Sequence, residues 1–317
     1  ILVIGHRNPD MDAIASAMGY AWLLGQLPDD NIYVAGRTGT VNSQTQFALD
    51  TFRIEAPILV SDVRKRVGDL LEDVPSLHHT STILDACQSV AQTHRSVPLL
   101  NDEDKPIGLI TGSALFGVMG EALSAANIMA LAKDFEMPAS TAADTNTTIL
   151  NKGDYIRDVL SQVLRSEQDD FIVMDEHGAY VGLCKKSKLL SPPKSRVVLV
   201  DHNELGQAVI GLEEAEVVEV LDHHRLSTIP TSTPIRFRVE PVGSCSTLVA
   251  ERGIELGKTF PVAIAGLLLC GILSDTLIFR SPTATERDRK VAHTLARMAK
   301  LAQDKAKDAE VMTAITE

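Results

Sequence analysis

The chain has 317 residues, which is enough for about two domains with sizeable hydrophobic cores. Hydrophobic residues make up 44% of it and aromatic residues only 4%, a composition typical of aliphatic α/β cores. The formal net charge of −12 argues against nucleic acid as a partner, because phosphate backbones are usually bound by a basic surface. An acidic protein that acts on a phosphate compound would need metal ions to reverse the local charge.

The four cysteines are scattered and form no CxxC pair, so we expect reduced packing residues of a cytoplasmic protein. The longest uncharged apolar stretch, residues 260–274, is too short to span a bilayer and is predicted to be a core helix. No export signal is recognisable, and we expect no membrane association. The chain begins inside a strand pattern and stops just after a helical one, so a longer parent polypeptide is expected.

The first sixty residues alternate between strand and helix patterns. The apolar run at 1–5 predicts a buried strand, and apolar residues at helical spacing over 12–27 predict a helix capped by Asp12. A second strand is predicted at 32–36 and a second helix at 43–52. This alternation is typical of a parallel sheet.

Residues 61–192 have a different pattern, in which two halves resemble each other. Each half has an amphipathic helix, an apolar strand at 97–100 or 171–174, an acidic turn, a second strand and a closing helix. A repeated unit of about 60 residues explains this pattern better than chance. The stretch 139–151, rich in Ser, Thr, Asn and Asp, is interpreted as a linker between the halves.

Histidines and carboxylates follow several apolar segments on both sides of this repeat. Each alone could be a polar turn, but together they suggest a metal site, because open parallel sheets bind ligands beyond the carboxyl ends of their strands. Two histidines and four carboxylates suit two divalent ions such as Mn²⁺ or Co²⁺. Water held between two such ions is a strong nucleophile, and no serine or cysteine nucleophile motif is found. The candidate ligands are His6, Asp10, Asp12, Asp201, His223 and Asp275.

The pair His78–His79 is a contrasting case. It follows no apolar strand, and no acidic partner is near it in the sequence. It is therefore interpreted as part of the solvated surface.

Five motifs resemble those of the DHH phosphoesterases and, within them, the family II inorganic pyrophosphatases. In chain order they are GHRNPDMDAIASA, VDHN, EVLDHHR, EPVGSCST and GILSDTLIFRSPTATERD. The resemblance covers nearly all of 1–60 and 194–310, and it implies an α/β fold in which a DHH phosphoesterase domain over 1–60 and 194–317 is interrupted by the repeat. It also implies pyrophosphate hydrolysis at a dinuclear Mn²⁺ or Co²⁺ centre, with Mg²⁺ accompanying the substrate.

The same resemblance implies a role for each candidate residue. One metal would be held by His6, Asp10, Asp201 and Asp275, and the other by Asp12, Asp201, His223 and Asp275, so that Asp201 and Asp275 bridge. His224 would donate to a substrate phosphate, and Asp222 would orient its neighbours without binding metal.

The repeated halves resemble a tandem of CBS modules, at about 61–123 and 145–192. Pyrophosphatases with such an insert bind adenine nucleotides there, so AMP, ADP and diadenosine polyphosphates are the expected ligands. At the positions of the usual Thr and Asp signature, the candidate residues are Thr111, Lys185 and Lys188. The two lysines could instead belong to a solvated helix face. CBS tandems pair face to face, which suggests a homodimer.

Family members also carry a C-terminal domain that closes over the active site and supplies Lys and Arg side chains to pyrophosphate. This chain stops where the linker to that domain should begin, and Lys300, Lys305 and Lys307 are predicted to face solvent on a helix. Weak turnover is therefore expected of the chain alone. Two alternatives stay open: a DHH phosphodiesterase acting on short oligonucleotides or cyclic dinucleotides, and a catalytically silent nucleotide sensor.

Overall fold

A computed structural model describes residues 1–301 of the chain. These residues belong to two compact units, the first made of 1–64 with the residues from 194 onward, the second of 65–193. Lys300 is exposed just after a helix ends, whereas Lys305 and Lys307 lie outside the described residues. Among the residues described, no helix is long and apolar enough to cross a membrane.

Strands and helices alternate through most of both units. The strands are, in chain order, β1 (Leu2–Ile4), β2 (Val34–Arg37), β3 (Ile58–Leu59), β4 (Leu77–His78), β5 (Val97–Leu100), β6 (Pro106–Ile110), β7 (Ala143–Asp144), β8 (Ile149–Asn151), β9 (Asp170–Met174), β10 (Tyr180–Lys185), β11 (Arg196–Val200), β12 (Glu216–Asp222) and β13 (Arg236–Val239). The α-helices are α1 (Met11–Leu24), α2 (Ser43–Phe52), α3 (Ile83–Thr93), α4 (Gly112–Ser124), α5 (Ile128–Glu136), α6 (Ile156–Arg165), α7 (Lys186–Leu190), α8 (Cys245–Glu255), α9 (Val262–Asp275) and α10 (Glu286–Met298).

The first unit is built on a parallel sheet with the strand order β13-β12-β11-β1-β2-β3. Its central strands are aliphatic and buried, as expected of a sheet covered on both faces. The predicted parallel sheet is confirmed. Because its strands run in one direction, the residues that follow β1, β11 and β12 gather along one edge.

Helix α9 is the centre of the main core of the first unit. It is apolar on almost every side and packs with α1, α8 and α10 around residues such as Leu268 and Leu295. The prediction of a core helix in this stretch is confirmed, and Pro261 stands just before its first turn, where a proline costs no hydrogen bond.

The second unit contains the predicted repeat. Each half runs strand, helix, strand, strand, helix, as β4-α3-β5-β6-α4 and β8-α6-β9-β10-α7. In each half a parallel pair of strands is followed by an antiparallel hairpin. The acidic turns close these hairpins, because the Asn101 and Asp175 side chains accept hydrogen bonds from the backbone of their own turns.

The interpretation of 139–151 as a linker was wrong. It begins with a 3-10 helix at Ala139–Ala142, after which Ala143–Asp144 pairs with β6 and Ile149–Asn151 pairs with β9. Its polar composition reflects the exposed turn between these two short strands. Composition alone does not reveal that the strands pair through their backbone.

Candidate metal centre

The six candidate ligands lie together at the carboxyl edge of the parallel sheet. His6 follows β1, Asp201 follows β11 directly, and His223 follows β12. Asp10 and Asp12 stand at the start of α1, and Asp275 is the last residue of α9. Strands and helices far apart in the sequence therefore deliver imidazoles and carboxylates to one place.

The candidates form two groups that share Asp201. In the first group, Nε2 of His223 lies 3.2 Å from Oδ1 of Asp201, 3.4 Å from Oδ2 of Asp275, and 4.0 Å from Oδ2 of Asp12. In the second group, Nε2 of His6 lies 3.4 Å from Oδ2 of both Asp10 and Asp201. The two oxygens of Asp201 thus face different imidazoles, as a bridging carboxylate requires. Asp275 belongs only to the group that contains His223, and its bridging role stays a prediction.

Asp201 has an unusual backbone conformation. Its φ of 62° lies in the left-handed region, which residues other than glycine seldom adopt. Its N–H donates to the carbonyl of Leu221 on the neighbouring strand at 3.0 Å. Strain of this kind is concentrated at functional sites, where the surrounding structure enforces it.

Asp12 is fully buried and is held by the start of α8. Its carboxylate accepts hydrogen bonds from Oγ of Ser244 at 2.8 Å, from N of Cys245 at 2.7 Å and from N of Ser246 at 3.0 Å. The positive end of a helix dipole therefore stabilises this buried charge. The predicted helix cap at Asp12 was wrong, because the cap of α1 is Asp10, which accepts from N of Ala13 at 2.9 Å.

The close approach of α9 to this carboxylate depends on Gly271. A Cβ at that position would lie 2.4 Å from Oγ of Ser246 and 2.9 Å from Oδ1 of Asp12. Only a residue without a side chain leaves both atoms where they are.

The hydrogen bonds of His223 show whether this site suits a cation. Nδ1 lies 3.0 Å from the carbonyl of Val242, so it carries the proton and Nε2 presents a lone pair to the carboxylates. Within the described part of the chain, Nε2 of His223 and Oδ1 of Asp201 are buried without a hydrogen-bond partner. A lone pair facing carboxylates is repulsive, so Nε2 needs either a proton or a metal cation between it and the carboxylates. The residues present therefore fit a divalent cation bound by imidazole and carboxylate ligands.

The pKa values of the candidate ligands also favour a bound cation. Burial opposes protonation of His223 and His6, but neighbouring carboxylates outweigh it and raise the pKa of each imidazole to about 10. Burial and the Asp201 charge raise the pKa of Asp12 to about 6, and burial with Asp12 and Asp201 raises the pKa of Asp275 to about 9. Without a metal, His6, His223 and Asp275 thus hold protons near neutral pH, which offset the negative charge of the other carboxylates. A bound divalent cation would replace these protons.

Asp222 and His224 form a separate pair beside these groups. Oδ1 of Asp222 accepts from Nδ1 of His224 at 2.8 Å, which raises the pKa of that imidazole. The other oxygen of Asp222 accepts from the amide of Asn203. Asp222 is fully buried and the His224 ring is about half exposed, so the pair places an oriented imidazole at the surface of the site.

A cavity of about 300 Å³ lies beside His6. It is lined by Arg7, Asn8, Gly206 and Gln207. Arg7, Asn8, Ser244 and Ser246 lie in the first and fourth of the five motifs but were not predicted as site residues, because their roles depend on contacts; Gly206 and Gln207 lie in no motif.

The second unit has a larger cavity of about 850 Å³ between its two halves. Thr111 and Lys185 line it, and Thr111 caps α4 by accepting from N of Ala114 at 3.1 Å. Lys188 is not among its lining residues, because its Nζ pairs with Glu72 at 2.8 Å. Of the three candidates in this unit, the structure brings two to the cavity.

Residues 1–272 match the model of the DHH family, N-terminal domain, and the chain therefore belongs to the DHH family. It is 27% identical to a protein of Thermotoga maritima named as a probable manganese-dependent inorganic pyrophosphatase, over an alignment of 411 positions that covers 96% of this chain and 75% of that one. It is 28% identical to the cobalt-dependent inorganic pyrophosphatase of Clostridium perfringens, over an alignment of 406 positions that covers 94% of this chain and 74% of that one. A CBS-pair protein from Arabidopsis thaliana matches 40% of this chain and 92% of its own, with 13% identity and a TM-score of 0.35.

Proposed function

We propose that the first unit hydrolyses inorganic pyrophosphate to two phosphates with two divalent cations, Mn²⁺ or Co²⁺, and with Mg²⁺ entering with the substrate. The observation that carries this proposal is the set of two imidazoles and four carboxylates, with Asp12 and Asp201 buried, in which Nε2 of His223 and Oδ1 of Asp201 have no partner among the described residues. The relatives named as manganese- and cobalt-dependent pyrophosphatases support the substrate and the metals.

In this proposal the protein holds the cations and orients their ligands. The ligands are His6, Asp10, Asp12, Asp201, His223 and Asp275. When bound, the cations would neutralise phosphate charge and activate water for attack at phosphorus. The carbonyl of Val242 keeps the proton of His223 on Nδ1, and the start of α8 fixes the Asp12 carboxylate. Such outer contacts determine how well a ligand binds.

Substrate oxygens would meet donors on either side of the ligands. Asp222 accepts from Nδ1 of His224 and raises its pKa, which favours an imidazole that donates from Nε2 to a phosphate oxygen. Arg7 and Asn8 line the cavity beside His6 and would supply guanidinium and amide donors. Donors fixed in advance around a developing negative charge lower the barrier to phosphoryl transfer.

Phosphate release tests the proposal. The chain loaded with Mn²⁺ or Co²⁺ is assayed with pyrophosphate and, in parallel, with a linear and a cyclic dinucleotide. Phosphate release from pyrophosphate is expected, and chromatography should show no nucleotide products from either dinucleotide. Turnover of the dinucleotides alone would make the protein a phosphodiesterase, and metal binding without any turnover, in this chain and in a longer parent polypeptide, would favour a silent nucleotide sensor.

For the second unit we propose regulation by adenine nucleotides bound in the 850 Å³ cavity, a volume within the usual range for small-ligand sites. Thr111 would contact the ribose, and Lys185 the phosphates. Calorimetric titration with AMP, ADP and a diadenosine polyphosphate tests this. Lys185→Ala should weaken binding, whereas Lys188→Ala is the matched control, because Lys188 pairs with Glu72 outside the cavity. No heat with any of the three nucleotides would contradict the proposal.

We also propose that the second unit mediates a homodimer. Large apolar side chains are exposed on two neighbouring helices, with Phe116 on α4 at 68% and Ile128 and Met129 on α5 at 81% and 78%. Such patches mark interaction sites. Phe116→Glu should give a monomer in light scattering, and Phe47→Glu on α2 of the first unit, a similarly exposed position, should not.

A further inference from the structure

A second group of metal-binding side chains lies in the inserted unit, at the end of β4. His78 ends this strand, and His79 begins the turn that follows. Strand β4 is parallel to β5, so the turn after β5 carries Asp102 to the same end. Nε2 of His78 lies 3.0 Å from Oδ1 of Asp102, and Nδ1 of His79 lies 3.8 Å from the same oxygen. The expectation that this pair lacks an acidic partner was wrong, because the carboxylate comes from a turn 24 residues later.

The two imidazoles are 44% and 38% exposed, which confirms the prediction of surface residues, but their arrangement also resembles that of metal ligands. Their ring centroids are 4.2 Å apart, so both rings turn to the same side although they are consecutive in the chain. Nδ1 of His79 is shielded from solvent and has no hydrogen-bond partner among the described residues. An imidazole nitrogen aimed at a carboxylate without a hydrogen bond is a position that a cation would satisfy.

Thr80 completes the group by fixing the other imidazole. Its Oγ1 lies 2.8 Å from Nδ1 of His78, and its backbone N–H donates to the same nitrogen at 3.4 Å. Nε2 therefore donates to Oδ1 of Asp102; with a cation on Nε2, the proton would instead be on Nδ1 and would be donated to Oγ1 of Thr80. Ligating histidines usually have such an outer partner on the second ring nitrogen.

We propose that His78, His79 and Asp102 form a binding site for a transition-metal cation, with Zn²⁺ as its occupant. Two imidazoles and one carboxylate favour Zn²⁺, Co²⁺ or Ni²⁺ over Mg²⁺ and Ca²⁺, which prefer oxygen ligands. Three protein ligands leave one position of a tetrahedral ion open to water or another ligand. Mn²⁺ binds most such sites more weakly than Zn²⁺, so a chain whose first unit is saturated with Mn²⁺ should still take up Zn²⁺ here.

Zinc uptake by matched variants tests this site without any measurement of hydrolysis. The full chain, loaded with Mn²⁺, is dialysed against Zn²⁺, and bound zinc is measured by elemental analysis. The wild type should retain one more zinc per chain than either His79→Ala or Asp102→Asn. Asp102 is 81% exposed, so its replacement keeps the test valid if the histidine variant folds poorly. His177→Ala, at an 82% exposed histidine in the turn of the other half, is the control and should bind zinc like the wild type.

Two further results separate this site from general surface binding. Thr80→Val should weaken zinc binding by about 10–100-fold, the usual effect of losing an outer partner, without lowering the amount bound at saturation. Excess Mg²⁺ should not displace the additional zinc. Equal zinc in the wild type and both ligand variants, or displacement by Mg²⁺, would overturn the proposal.

Discussion

The candidate metal centre of the first unit and the larger cavity of the second unit differ in which buried polar atoms lack a hydrogen-bond partner. At the edge of the parallel sheet, buried nitrogen and oxygen atoms of His223 and Asp201 have no hydrogen-bond partner. In the second unit, Arg95, which lines the larger cavity, pairs with Asp170 and Glu72, although Nε2 of Gln168 in the same lining is also buried without a hydrogen-bond partner among the described residues. The first site therefore leaves an imidazole nitrogen and a carboxylate oxygen unsatisfied without a cation, whereas the buried ion pairs beside the second site form without a ligand.

Removing the shared carboxylate of the metal centre should have the largest effect. Asp201→Asn leaves both imidazoles without their common partner, so most bound Mn²⁺ should be lost. Phosphate release should fall by more than the ~10–100-fold that is typical of groups that only position a ligand. Elemental analysis and the phosphate assay measure both, with Asp30→Asn in an exposed loop as control. A variant that retains the metal content of the wild type would refute the bridging role.

Breaking the ion pairs of the second unit should destabilise that unit alone. Arg95→Ala leaves the buried Asp170 carboxylate unpaired, which costs about 3–5 kcal/mol in folding free energy. Trp22, the single tryptophan, lies in the first unit, so its fluorescence follows that unit while calorimetry follows both. The calorimetric transition that Trp22 does not report should move to lower temperature. Lys188→Ala removes a partly exposed ion pair and should change the unfolding free energy of this unit by only about 0–1 kcal/mol. Equal effects of the two variants would contradict the contrast drawn above.

The two units should also respond oppositely to pH once the metals are chelated. The folded pKa values of His6 and His223 are raised to about 10 from 6.5, so the stability they contribute is present below about pH 6.5 and is lost as the pH rises towards 10. The raised pKa values of Asp12 and Asp275 act in the same direction.

In the second unit, burial opposes ionisation of Asp170, but Arg95 outweighs it and lowers the pKa, so that stability is present above about pH 4 and is lost in acid. Thermal unfolding in a chelator should therefore show the Trp22 transition falling at high pH and the other falling at low pH. A Trp22 transition that is flat between pH 6.5 and 10 would contradict this account, and added Mn²⁺ should flatten it.

The smallest expected effects are those of replacing two glycines inside helices, Gly271 in the first unit and Gly117 in the second. Gly271→Ala places a methyl group against Ser246 and Asp12, which should cost about 1–3 kcal/mol of stability and weaken Mn²⁺ binding. Gly117→Ala on α4 meets no atom within 4 Å and should stabilise its helix by up to about 1 kcal/mol. Chemical denaturation with and without Mn²⁺ measures both. Unchanged metal affinity in the Gly271 variant would show that α9 does not set the position of Asp12.

The sequence predicts the parallel sheet and the repeated halves well, because each depends on local apolar patterns. It also identifies residues that gather at one edge, since polar residues directly after buried strands meet there. The sequence does not predict contacts between residues that are far apart along the chain. Asp12 was expected to cap α1, but it is held by the start of α8, more than 230 residues away. The acidic partner of His78 and the strand pairing of the supposed linker were missed for the same reason.

The position of bound metal tests the central claim most directly. Crystals of the chain grown with Mn²⁺ would be measured by anomalous diffraction at the manganese edge. The account predicts anomalous peaks within bonding distance of Nε2 of His223 and of Nε2 of His6, with Asp201 contacting both. No peak at these atoms, or manganese bound only elsewhere, would contradict it.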